Sequence, residues 1–214
     1  MKKNGIFITF EGGDGAGKTT LIQKIFTYLE TCDFDALQTR APGGTERGQD
    51  IRNLLLHQQQ GAPLSKRTEL LLFLADRAQH VDELILPELQ KGKIVLCDRF
   101  NDSTIAYQSG ARGFKENLVR KLCDFAADCL VPDLTLYLDL DPKIGLARAQ
   151  KAGPVKDRIE SETLKFHQKI RKSFQRIAKK EPKRFITIDA SETPEEVYSQ
   201  AKVNIDAFLQ AYRK

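Results

Sequence analysis

No apolar run in this 214-residue chain approaches the roughly 20 residues a membrane-spanning helix needs, which excludes a helical span. Its four cysteines, Cys32, Cys97, Cys123 and Cys129, form no C-x-x-C pair, so neither a zinc ribbon nor a disulfide framework is indicated. The opening MKKNGIFITFEGG has a basic start, but Glu11 breaks its apolar stretch too early for a secretory signal. Internal repeats, low-complexity tracts and linkers are also missing. These absences leave a soluble, cytoplasmic globular chain as the expectation, with one α/β domain for this length.

The composition is ordinary for such a chain, 41% hydrophobic and 29% charged, which excludes wholesale disorder. Thirty-four Lys and Arg against 29 Asp and Glu leave a net charge of +5. That excess is concentrated in residues 165–184, with nine basic residues and a single acid, Glu181. Such a run reads first as a solvated helix face, with nucleic-acid backbone binding as the alternative. Only Phe166 and Phe174 interrupt it, eight residues apart, a spacing for packing rather than for stacking on bases. No nucleic-acid or membrane partner is expected.

Short apolar runs alternate with helical patterns. Strands are expected at Ile6–Phe10, Phe34–Thr39, Lys93–Cys97, Asp133–Leu140 and Arg184–Ile188. Between them lie helices at about 17–31, through Ile51, Leu54 and Leu55, at 66–90, 102–109, 115–129, from Pro142, and through the basic run. Ser65 caps the long helix, Gly92 stops it, and Pro87 should shorten or kink its last turn. QKAGPVKDR (150–158) is a breaker-rich loop. Thr193, Pro194 and Glu196 form a capping box for the last helix.

After the first strand comes Gly12-x4-Gly17-Lys18-Thr19, the phosphate-binding loop, in its required strand-to-helix context. Its glycines let successive N–H groups face phosphate oxygens, and the new helix N-terminus adds partial positive charge. Lys18 suits the β- and γ-phosphates of ATP, and the Thr19 hydroxyl suits Mg²⁺. Asp98 emerges from the carboxyl end of a buried strand, where it can hold the Mg²⁺ or take the acceptor's proton. The fold expected is a P-loop NTPase-type doubly wound parallel five-stranded sheet flanked by helices, with a short lid. No N-K-x-D occurs, and Asn101 stands where D-x-x-G would need glycine after Asp98. A guanine-specific switch is thereby excluded, and a compact kinase acting on a small acceptor remains. Arg77 lies within the apolar stripe Leu70, Phe73, Leu74, Val81 and Leu84. Such a cation either snorkels to the surface or lines a pocket beside the Phe73 ring.

The segments FEGGDGAGKTT (10–20), RAPGGT (40–45), LLFLADRAQH (71–80), DRFNDSTIAYQ (98–108), PDLTLYLDL (132–140) and DRIE (157–160) stand in an order that resembles thymidylate kinase over nearly the whole chain. Ala16, where the eukaryotic type carries arginine, marks the resemblance as bacterial. It implies ATP-dependent phosphorylation of dTMP to dTDP, with Mg²⁺, by a homodimer. It implies that Gly12, Gly13, Asp14, Gly15, Ala16, Gly17, Lys18, Thr19 and Thr20 hold ATP, and that Thr19 and Asp98 hold the metal. Phe73 would stack on thymine and Arg77 would bond its exocyclic oxygen. Thr104 and Gln108 would bond the base edge, with Ser103 nearby. Asp14 would hold the 3′-hydroxyl, Tyr107 would crowd the 2′ position, and Arg99 with Arg52 would grip the acceptor phosphate. Arg148 and Arg158, from a lid at about 148–158 hinged at Gly153 and Pro154, would reach the transferring phosphoryl group. The loop Asp189-Ala190-Ser191 would approach adenine. Two positions depart from the family pattern: Ala41 replaces a glutamate, and Phe100 replaces a tyrosine or histidine. His57, His80 and His167 show no ligand spacing and are read as structural. The alternatives are a P-loop kinase of another nucleoside or nucleotide, and a basic nucleic-acid-binding ATPase.

Overall fold

β1 (Ile6–Gly12) is buried along its whole length, as a central strand must be when both faces of a parallel sheet are covered. The computed structural model describes residues 4–56, 63–152 and 157–212. His57, Gly153 and Pro154 lie outside the described residues. In chain order, β1 is followed by α1 (Lys18–Thr31), β2 (Ala36–Arg40), α2 (Glu46–Leu56) and α3 (Lys66–His80). A π-helical turn (Val81–Ile85) joins α3 to α4 (Leu86–Gln90), and β3 (Ile94–Asp98) follows. Next come α5 (Asn101–Thr104), a π-helical stretch (Ile105–Ala111), α6 (Glu116–Ala126) and β4 (Leu134–Asp139). α7 (Pro142–Ala152), α8 (Leu164–Lys180), β5 (Phe185–Asp189) and α9 (Pro194–Tyr212) complete the chain.

The strands form one parallel sheet in the order β2-β3-β1-β4-β5. β1 lies between β3 and β4, with Ile6 opposite Ile94 and Ile8 opposite Leu134. Alternation along β1 sorts the two faces. Ile6, Ile8 and Phe10 join the core under α1 and α9. Phe7 packs edge-on against Phe100 on the opposite face, where Thr9 bonds Thr135 and Glu11 bonds Ser103. α1 therefore leaves β1 over one face and α5 leaves β3 over the other. The crevice where they part is where open α/β sheets bind ligands.

The helix expected across 66–90 is present with its predicted cap, since Ser65 Oγ accepts from Thr68 N–H. Pro87 neither shortens nor simply kinks it. The turn before it widens to π geometry, with Leu86 N–H reaching Val81 O, a local change that accommodates the proline ring and its missing N–H. Ile85 and Leu89 are then fully buried, while Leu84 of the expected stripe is only half-buried. The helix expected at 115–129 stops at Ala126, because Asp128 and Cys129 take left-handed conformations (φ 46° and 56°). The capping box of α9 is reciprocal: Thr193 N–H donates to Glu196 Oε2 and Glu196 N–H to Thr193 Oγ1. Residues 148–152 of the expected lid are the last turn of α7.

The basic run divides largely by residue type, Lys180, which pairs with Glu116, being the exception. Lys165, Lys169, Lys172, Lys179 and Lys183 are exposed, as a solvated face requires. The arginines are instead bound to carboxylates of this same chain: Arg171 to Asp139, Arg176 to Glu116, and Arg184 to Asp102 and Glu181. Phe166 and Phe174 lie in the core with Ile170 and Ile177. Asp102 is 2% exposed, and its two oxygens accept from Arg184 Nη1 and Nη2 at 2.8 and 2.9 Å. This fork ties α5 to the start of β5. Asp102→Ala, which leaves a buried guanidinium facing nothing on that side, should lower unfolding stability by about 3 kcal/mol in urea titration. Removing both partners (Asp102→Leu with Arg184→Met) should cost less.

Candidate active site

The phosphate loop is shaped by close backbone approach. Gly15 has φ +69°, and a Cβ there would meet the carbonyl oxygen of Gly145 in α7 at 2.0 Å. Gly145 in turn faces Asp14 O. Glycine is needed on both sides of this contact, and Gly145 carried no signal in the sequence. Lys18 Nζ is buried and donates to Gly12 O and Gly13 O at 3.2 and 2.9 Å. Burial, with Arg99 nearby, pushes its pKa below the usual lysine value despite Asp98 and Asp14. A lysine so placed gains from an anionic partner.

Thr19 Oγ1 donates to Asp98 Oδ2 at 3.3 Å, and Asp98 Oδ1 is buried without a hydrogen-bond partner among the described residues. Hard oxygen donors, one of them an orphaned carboxylate oxygen, suit Mg²⁺, which takes one or two carboxylates and completes its shell with water and phosphate.

Beside the loop lies a cleft of about 630 Å³. Asp14, Arg52, Phe73, Arg77, Arg99, Ser103, Thr104, Tyr107 and Gln108 all line it, with Lys18, Thr19 and Asp98 at the loop end. Every acceptor-site residue expected from the sequence is therefore brought to one cavity by α2, α3, the end of β3, and the α5–π stretch. Arg77 does not snorkel. It is 3% exposed, its guanidinium sits 4.2 Å over the Phe100 ring, and its Nε and Nη1 have no partner among the described residues. Phe100, a departure from the family pattern, supplies the face that supports this cation.

Arg99 leaves β3 with φ +68°, which turns its side chain back under the loop. Its Nη1 donates to Gly12 O and Ser103 Oγ, and its Nη2 to Asp14 Oδ1 at 2.6 Å. Glu11 accepts from Phe100 N–H, Ser103 N–H and Ser103 Oγ. Burial and the nearby Asp102 raise its pKa to about 7 against those hydrogen bonds and Arg99. On the other wall, Arg52 Nη1 donates to Pro42 O and Asp76 Oδ1 accepts from Gly43 N–H. Ala41, the second departure, is buried ahead of the cis Ala41–Pro42 peptide.

Two expected residues lie elsewhere. Arg148 Nη1 donates to Ala190 O at 3.0 Å, which holds it to the β5–α9 loop. Arg158 pairs with Glu69 Oε2 at 2.6 Å and donates to Leu55 O. Neither guanidinium lines the cleft; carboxylates Asp157 and Glu160 do. Glu11, Glu69, Asp76 and Asp102 escaped the sequence reading. Only Glu11, an acid ending an apolar alternation, left a trace there.

The sheet order and the loop, with an aromatic and arginine-lined acceptor cleft beside it, define a P-loop kinase of the nucleoside monophosphate class. A family model described as thymidylate kinase matches residues 10–201. The chain is 48% identical over 206 residues to a thymidylate kinase of Protochlamydia amoebophila, covering 94% of this chain and 92% of that one. It is 47% identical to one of Desulfovibrio desulfuricans, covering 96% and 97%. The crystal structure of thymidylate kinase from Ehrlichia chaffeensis superposes with a TM-score of 0.76 at 36% identity, covering 94% of this chain and 98% of that one. The chain belongs to the thymidylate kinase family, whose members use ATP, and its activity is phosphorylation of dTMP to dTDP.

Lys18→Ala should lower turnover at least about a thousandfold with an unchanged circular dichroism spectrum; wild-type turnover would remove the loop's assigned role. A second expectation concerns His80, which is fully buried, bonds Thr39 Oγ1 through Nε2, and backs Gly44. Burial, then Arg77, pushes its pKa down to about 3. The unfolded chain thus takes up this proton near pH 6.5 while the folded one resists it. The stabilisation is complete above pH 6.5 and is lost progressively as pH falls toward 3. Between pH 7 and pH 5 the wild type should lose about 2 kcal/mol more in urea unfolding than His80→Gln.

Proposed function

We propose that the cleft binds dTMP with its base against Phe73 and Arg77 and its phosphate toward Arg99 and Arg52, facing ATP on the phosphate loop. The observation that carries this reading is the buried Arg77 guanidinium, with two unpartnered nitrogens beside an aromatic face. An exocyclic pyrimidine oxygen is the acceptor such a buried guanidinium lacks. Thr104 and Gln108 take the base edge, Asp14 the 3′-hydroxyl, and Tyr107 the 2′ position. Ser103 holds Arg99 and Glu11 rather than reaching for the base.

Phosphoryl transfer needs alignment and charge compensation more than covalent help. The loop N–H groups from Gly12 to Thr20 cradle the ATP phosphates, and Lys18 exchanges its carbonyl partners for phosphate oxygens. Thr19 and Asp98 would hold Mg²⁺, whose role is to neutralise charge shared by the β- and γ-phosphates. Arg99 sits between Gly12 and Ser103, which places its charge between donor and acceptor. Arg148 and Arg158 flank the proposed lid. To reach the transferring group they must exchange Ala190 O and Glu69 for phosphate oxygens, which ties their arrival to substrate binding.

The chain is proposed to act as one domain, as a homodimer, in the cytoplasm. Leu71 on α3 and Leu118 and Phe125 on α6 are exposed apolar side chains on helices that pack together, which supports a second copy as their cover. Among the described residues no helix is long and apolar enough to cross a membrane.

A coupled ATP assay over dTMP, dUMP, dCMP, AMP and ribothymidine monophosphate tests the acceptor, and preference for anything but dTMP overturns it. Arg77→Ala should raise the KM for dTMP tenfold or more, the loss of about one hydrogen bond to charge, with the KM for ATP nearly unchanged. Equal rises in both would show that Arg77 does not read the base.

A further inference from the structure

Glu69 stands in the first turn of α3, where an acid has the general excuse of a helix N-terminus. Its side chain is nevertheless only 3% exposed and turns inward. It accepts from Gln108 Nε2 at 2.7 Å and from Arg112 Nε and Nη2 at 2.9 and 3.0 Å, and it pairs with Arg158. Burial alone would raise its pKa, but the hydrogen bonds from Arg112 and Gln108 outweigh burial and hold it below the usual glutamate value. Arg112 is itself fixed, stacked 4.5 Å over Phe166.

An ionised carboxylate accepts hydrogen bonds and cannot donate one. The Gln108 amide, fully buried, therefore has one orientation with its NH₂ on Glu69. Flipping it would set oxygen against oxygen. Its Oε1 is buried without a partner among the described residues, and Gln108 lines the acceptor cleft. An unconstrained glutamine could offer either face to a base; this one has only an acceptor to offer.

We propose that Glu69 is a specificity-determining positioning residue, which locks Gln108 so that its Oε1 selects a pyrimidine carrying N3–H over one with a bare N3. Thymine and uracil have that proton and cytosine does not. The inference rests on the reading of Gln108 as a base contact. Arg77 complements it from the other wall, since a guanidinium only donates. The cleft thus presents donors for an exocyclic oxygen and an acceptor for the adjoining ring N–H. A base with the opposite pattern leaves buried groups unpaired, the strongest form of rejection available to a binding site.

The test compares kcat/KM for dTMP and dCMP in Glu69→Gln, Gln108→Leu and the double variant. Glu69→Gln frees the Gln108 amide to turn, so the dTMP:dCMP ratio should fall about tenfold, equivalent to about 1.4 kcal/mol. The change should lie in the acceptor's KM; in Gln108→Leu, which leaves the Arg158–Glu69 pair intact, the KM for ATP should be unchanged. Gln108→Leu should lower the ratio as much, and the double variant no further. A wild-type ratio in Glu69→Gln beside a lowered one in Gln108→Leu overturns the role of Glu69 and leaves the base contact standing. A wild-type ratio in Gln108→Leu overturns the base contact, and the proposal with it. Should Glu69→Gln fail to fold, wild-type protein labelled with ¹⁵N-glutamine decides. The Gln108 side-chain amide protons should stay protected from solvent exchange before and after dTMP is added. Their deprotection on dTMP binding would mean the NH₂ leaves Glu69, and would overturn the proposal.

Discussion

The guanidinium of Arg99 joins the two halves of the site. It binds the phosphate loop through Gly12 O and Asp14, and the acceptor wall through Ser103, with the Tyr107 ring 5.2 Å away. This requires the chain to leave β3 in a left-handed conformation at a non-glycine residue, a strain of order 1–3 kcal/mol. Surrounding bonds hold that turn: Arg99 N–H reaches Phe10 O, and Glu11 gathers the next N–H groups at Phe100 and Ser103. Glu11 also serves as a distant cap for α5, whose own N-cap residue Phe100 has no side chain able to cap it. Loop, turn and acceptor helix are thereby one unit.

Charge is handled in opposite ways in the basic run at 165–184 and in the cleft. The arginines at 171, 176 and 184 are neutralised by carboxylates within the chain, so they serve packing and leave little field for a polyanionic partner. In the cleft, burial pushes Lys18 and Arg52 below their usual pKa values, and Arg77 keeps unpartnered nitrogens. Desolvated donors of this kind gain from an anionic or hydrogen-bonding partner.

Much of this was readable along the chain, where a local rule applied. The phosphate loop and its context, Arg77 as an anomaly in an apolar stripe, and the capping box of α9 each follow from spacing within a few residues. Strand edges shifted by one or two residues, and the proline in the long helix was absorbed by a π turn. The roles of the carboxylates at 69, 76 and 102 were not readable, and Glu11 showed only as an acid ending an apolar stretch. Each is buried because a partner remote in sequence meets it, as Arg112 meets Glu69 across 43 positions. Arg148 and Arg158 show the same limit from the other side: family pattern assigns them to the phosphates, while folding places them on Ala190 O and Glu69.

Sequence by itself determined the fold class and the nucleotide-loop motif, because hydrophobic period, glycine freedom and motif spacing are local properties; the residues expected at the acceptor came from the resemblance to thymidylate kinase. The phosphate loop, without a guanine motif beside it, had already narrowed the expectation to a compact kinase. Tertiary structure alone decided which charges are compensated and which way the polar side chains face. Those outcomes depend on desolvation and on hydrogen-bond partners that only the folded sheet brings within reach. Gln108 shows the difference: the family resemblance already implied it at the base, but the direction of its amide depends on Glu69, 39 residues away.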